Sequence, residues 1–160
     1  LSLTIKFIGG RALLKHLNLR KQGNEDDRVL AVDIKVSGET PASILNDLMG
    51  ASVGDDLSGM FWSAGGDTKV DPASLRSYVL GEITIDGEWP RRLLNLGKHT
   101  VIGDLKKVHF TPRPGHRLDL VGSISVENPS KELLEYLLKN LQEHFLCSIE
   151  DAEKQLHFGT

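Results

Sequence analysis

Residues 14–49, LKHLNLRKQGNEDDRVLAVDIKVSGETPASILNDLM, and residues 105–137, LKKVHFTPRPGHRLDLVGSISVENPSKELLEYL, read as two versions of one unit. Leu14-Lys15 matches Leu105-Lys106, and Leu17 and Leu19 match Val108 and Phe110. After a shorter turn in the second copy, Leu30 and Val32 match Leu118 and Leu120, and Glu39-Thr40-Pro41 matches Glu127-Asn128-Pro129. Each copy then enters a leucine-rich stretch with helical spacing. A repeated hairpin–helix–strand unit constrains architecture, because each copy needs a surface on which to bury its apolar face.

The alternation of apolar and polar residues within each copy predicts the strands. Leu13, Leu17 and Leu19 share one face of the first, with His16, Asn18 and Arg20 on the other. Leu30, Val32, Ile34 and Val36 line one face of its return strand. In the second copy Val108 and Phe110 face away from Lys107, His109 and Thr111, and His109 is expected to face Asp119 across the hairpin. Upstream, LTIKFI (3–8) reads as a short strand broken by Gly9-Gly10.

Thr40-Pro41 predicts a helix start, since Thr can cap exposed amides and Pro needs none at the first helical position. Ile44, Leu45, Leu48 and Met49 form its stripe, and Gly50 its stop. Asn128-Pro129 or Pro129-Ser130 opens the second helix, with Leu133, Leu134, Leu137, Leu138, Leu141 and Phe145 as core face and Glu135 and Lys139 paired outside. FLCSI (145–149) is a closing strand.

Residues 50–77 are the least regular, with a strand expected at Gly59–Trp62 and turns at GGD and DP. Tyr78 to Ile85 reads as a strand leading into an Asp86-Gly87 hairpin turn. The fold expected is strand-rich α+β with an internal duplication: two OB-like or pseudo-twofold-related sheet units, one helix each. They form one domain over 1–160, from repeats at about 1–62 and 78–160 joined by an irregular connector at about 63–77.

Composition narrows function mainly by exclusion. No apolar run approaches the ~20 residues of a membrane span. Cys147 is the only cysteine, which excludes an internal disulfide and a cysteine-based zinc site. With no signal-peptide pattern, it points to a cytoplasmic protein. GDDLSG is followed by Met60-Phe61 where a P-loop requires Lys and Ser/Thr, and Ser63 lacks the first glycine of a nucleophile elbow. The acidic turn Glu25-Asp26-Asp27 lacks the alternating oxygens of a calcium loop. No catalytic residue, metal or cofactor is predicted, and the chain reads as a binding protein rather than an enzyme.

Charge points to one region. Residues 89–117 hold seven Lys/Arg against Asp104 alone, whereas residues 118–160 hold eight acids against three bases. Trp89, Arg91, Arg92, Lys98, Lys107, His109, Arg113, His116 and Arg117 form a basic, Trp-containing set around the Pro-stiffened tip PRPGHR. Cations interleaved with an aromatic residue can neutralise phosphates and stack on bases. The other tip, Glu25-Asp26-Asp27, has the opposite sign. Opposite tips also suit a second expectation: an interaction or inhibitor protein that assembles through sheet edges or charged tips, without nucleic acid.

Asn18 to Lys35, NLRKQGNEDDRVLAVDIK, resembles a family of small uncharacterised bacteriophage and prophage proteins carrying NLR-K-x-G-x-EDD-x-VLA-[VL]-D-[IL]. The likeness extends over most of the chain, a later Leu-Lys-Lys hairpin being similar to Leu105–Leu120, though only the first motif is specific. It implies a phage origin and a role in DNA recombination or host defence, with no catalytic residues to carry over. The partners so implied are nucleic acid, a host or phage protein, or a second copy of the chain, in the host cytoplasm and not at a membrane.

Overall fold

A computed structural model describes residues 4–68 and 83–152. Six strands, β1 (Ile5–Gln22), β2 (Val29–Pro41), β3 (Ile83–Leu96), β4 (His99–Arg113), β5 (Arg117–Glu127) and β6 (His144–Asp151), close into a barrel. The strand order is β1-β2-β5-β4-β3-β6, and every neighbour is antiparallel. Helices α1 (Ile44–Met49) and α2 (Ala51–Phe61) follow β2, and α3 (Lys131–Lys139) follows β5. Because β2 and β5 run antiparallel, their following helices lie toward opposite ends of the barrel. One barrel takes strands from both halves of the chain, so the halves are not separate OB-like barrels.

The barrel interior is filled by the apolar faces of the strands, including Leu14, Val32, Ile34, Val36, Leu105, Val108, Phe110, Leu118, Leu120 and Ile124. Leu133 and Leu137 of α3 and Ile44 and Leu45 of α1 add to the same core. The two central hairpins share a register. Leu14 pairs with Val36 as Leu105 pairs with Ile124, and Leu19 pairs with Val32 as Phe110 pairs with Leu120. Between these pairs each strand carries a bulge, at Leu14/His16 in β1 and at Lys106/His109 in β4.

These bulges explain several departures from simple alternation. Lys15 is the extra residue in β1, so Leu14 and Ala12 are buried in place of Leu13. Leu19 and Leu30 lie toward the hairpin end and remain 55% and 39% exposed. In β4 the shift sets His109 opposite Val121 and Asp119 opposite Thr111, so His109 and Asp119 are not a ladder pair. Gly9 and Gly10 do not end the first strand. Their φ angles of 79° and 73° accommodate an irregularity within one long β1, across which pairing to β6 resumes.

Other local signals yielded to pairing across the sheet. Thr40 and Pro41 finish β2 opposite Leu118 and Arg117, and α1 starts after Ser43 without a side-chain cap. Residues 51–61 form α2, not an irregular stretch; Leu57 and Phe61, four apart, pack partly against the core. Gly59–Phe61 is therefore helical, and Trp62 makes only an isolated bridge to Thr68. Asp86-Gly87 does not turn the chain; β3 continues through it with a register shift between Ile85 and Glu88. The turn expected at Asp71-Pro72 and most of the strand expected from Tyr78 fall within residues 69–82, outside the described residues.

Of the two starts expected for α3, the second is found: Ser130 caps the helix, its hydroxyl accepting from the Leu133 amide at 3.1 Å. The buried stripe of α3 is narrower than its leucines suggest. The helix stops at Lys139, Leu138 is 62% exposed, Leu141 lies beyond the helix, and Phe145 is buried from β6. Glu135 meets Lys131 at 3.9 Å on the preceding turn.

Candidate functional site

The outer face of β1, β2, β5 and β4 carries a groove of about 540 Å³ lined by Lys15, His16, Asn18, Asp33, Lys35, Lys107, His109, Val121, Gly122 and Ser123. Strand geometry assembles it. His16 pairs with Lys35, Lys35 with Ser123, and Ser123 with Lys106, giving one polar row across four strands. Lys15 and Lys107 stand at the two bulges, and Lys107 adopts a left-handed φ of 55°. A bulge re-aims a side chain relative to the regular pleat, so equivalent irregularities in two strands put a lysine on each side of the groove.

Among the described residues, Asp33 is the only carboxylate in this lining, and its charge is taken up locally. Arg20 donates from Nε to Asp33 Oδ2 at 2.7 Å and from Nη2 to Ser125 Oγ at 2.9 Å. A third bond, from Nη1 to Gln22 Oε1 at 2.6 Å, and one from Gln22 Nε2 to Glu127 Oε1 at 2.6 Å extend the network over β1, β2 and β5. Removal from water alone would raise the Asp33 carboxyl pKa. The hydrogen bond from Arg20, the Ser125 hydroxyl nearby and the charges of Arg20 and Lys106 outweigh that and hold it below the ordinary carboxylate value. Asp33 is thus ionised and matched by Arg20, and the three lysines leave the groove positive.

The residues expected from sequence fall in several places. Lys107 and His109 line the groove. Trp89, Arg91 and Arg92 lie on β3, beyond β4; Trp89 is half-buried against the core, and the Arg91 amide donates to Asp104 Oδ1 at 3.1 Å. Lys98 sits on the β3–β4 turn, at the opposite end of β4 from Arg113. At the β4–β5 tip, Arg113 pairs with Asp119 at 2.6 Å and Arg117 with Glu39 at 2.9 Å.

That tip is held down rather than free. Trp62 donates from Nε1 to the Arg113 carbonyl at 2.6 Å, and its ring lies 5.5 Å from that of His116. The Gly115 amide donates to the Gly66 carbonyl at 2.8 Å, and the Ala42 amide to the His116 carbonyl at 2.9 Å. Glu25, Asp26 and Asp27 are exposed on the β1–β2 turn. The β2–β5 register, which pairs Ala31 with Glu127 and Pro41 with Arg117, sets this acidic turn and the basic tip at opposite ends of the barrel.

Lys15, His16 and Lys35 were missed as site residues, although their alternation was legible. His16 falls on the polar face of the first strand and Lys35 between Ile34 and Val36 in the second. The missing information was that β2 and β5 are neighbours, which joins the polar faces of both hairpins. Among the described residues, no cluster of His, Cys, Asp and Glu is arranged to hold a metal ion. None of the described helices is long and apolar enough to cross a membrane. Comparison with protein-family models, with curated proteins and with solved structures finds no match to this chain.

Proposed function

We propose that the protein is a binding protein, not an enzyme, that contacts nucleic acid through the outer face of β1, β2, β5 and β4. One observation carries this: Lys15, Lys35 and Lys107, from three different strands, converge on a groove whose single carboxylate is neutralised by Arg20. Such a surface suits phosphates, whose contacts are driven by charge and counterion release. The phage origin implied by the Asn18–Lys35 motif fits an accessory role in recombination or host defence.

The test is binding of labelled DNA across a salt series. Lys35→Glu with Lys107→Glu is expected to abolish it. Arg113→Glu with Arg117→Glu should weaken it far less, because both arginines already have carboxylate partners within the protein. DNA binding unchanged by the lysine pair, or absent at low salt, would rule the groove out as a nucleic-acid site.

We also infer that the barrel derives from a duplicated unit. In support, exchanging β1, β2 and β3 with β4, β5 and β6 leaves the order of neighbours unchanged, and the matching hairpins share register and bulge.

A further inference from the structure

The groove's lysines and histidines come from three strands. Lys15 and His16 stand on β1, Lys107 and His109 on β4, and Lys35 lies between them on β2. β1 and β4 are three inter-strand steps apart in the order β1-β2-β5-β4, about 14 Å measured along the sheet. The major groove of B-form DNA is ~12 Å wide and has a phosphate backbone on each rim. That of A-form RNA is too narrow for side chains to enter.

The remaining lining limits what else could be recognised. Among the described residues, no Phe, Tyr or Trp ring lines the groove, and its rings are the two imidazoles. Proteins that hold single strands rely on aromatic platforms for successive bases. The floor is a continuous β2–β5 ladder from Ala31–Glu127 to Pro41–Arg117, so its backbone groups are engaged with each other and not offered to base edges. Among the described residues, every side chain that lines the groove belongs to a strand, so neither a described helix nor a described hairpin tip contributes to it.

We infer that the groove seats duplex DNA by its two phosphate backbones, one against the cations of β1 and the other against those of β4, without reading sequence; this rests on the nucleic-acid reading proposed above. Recognition is then set by backbone spacing and charge, and single strands, which present one backbone, lose half of the contacts.

Fluorescence anisotropy of the full chain with a labelled 20-base-pair DNA duplex, the corresponding single strand and an RNA duplex of the same length tests this. The DNA duplex is expected to bind at least tenfold tighter than either competitor, with little dependence on sequence. Its log–log salt slope should be about −3 for three lysine–phosphate contacts, falling in magnitude by about 1.8 in Lys15→Gln with Lys107→Gln. Lys131→Gln on α3, away from the groove, should leave both unchanged, and thermal melts should show the variants folded. Single strands binding as tightly as the duplex, while still weakened by the lysine changes, would overturn the two-backbone seat and leave nucleic-acid contact standing. RNA duplex matching DNA duplex would overturn it too. No salt-dependent binding of any of the three would overturn both.

Discussion

Lys15 and Lys107 show how much one inserted residue can do. Each follows or overlaps a Leu-Lys step that looks like ordinary strand alternation, and each instead sits at a bulge beside the groove. Cys147 marks the opposite environment. It is buried in β6, and burial pushes its thiol up to about 12 because a thiolate there would be taken out of water. The native protein should therefore resist Ellman's reagent near pH 8 and react fully only when denatured; native labelling at the rate of a free thiol would contradict this. The sign for stability follows. A folded-state value raised above the ordinary ~8.5 leaves stability intact below that pH and erodes it as the pH climbs toward 12. Asp33 is shifted the other way, so what it contributes with Arg20 is present above the ordinary carboxylate range and lost in strong acid.

Among the elements, α3 tests how far local signals govern. Its N-terminus falls at one of the two expected starts, where the Ser130 hydroxyl reaches the Leu133 amide, an interaction complete within four residues. Ser130→Ala should cost about 1 kcal/mol in a denaturant melt, and a change below a few tenths would mean the cap contributes nothing. The Thr40-Pro41 signal is of the same kind yet ends a strand. Its residues gain a β5 partner, with Thr40 buried opposite Leu118, and the helix is delayed to Ile44. A capping signal is worth on the order of 1 kcal/mol, so extra ladder pairing and burial can override it. Asp86-Gly87 was overridden in the same way: β4 pairs with β3 on both sides of it.

For the molecule as a whole, closure is what couples the halves. β2 of the first half pairs with β5 of the second, and β3 pairs with β6, so no open sheet edge remains among the described strands. Ile34 and Phe110 come from different halves but share one core. Ile34→Ala and Phe110→Ala should each lower a single unfolding transition, by about 2–5 and about 3–5 kcal/mol. Two separable transitions, each sensitive to one variant, would mean that the halves fold independently.

The residues alone determined the strands of the two central hairpins, the inward faces Val32-Ile34-Val36 and Val108-Phe110, and a helix start within residues 128–130. All of these depend on period-two alternation or on contacts a few residues apart. Tertiary structure alone decided the register around each bulge, the end of β2 and the helical state of residues 51–61. It also pairs Arg113 and Arg117 of the PRPGHR tip with Asp119 and Glu39, and builds a separate groove on both hairpins. The physical reason is separation along the chain. Lys15, Lys35 and Lys107 become neighbours only when β2 and β5 zip together, and no local pattern encodes that pairing.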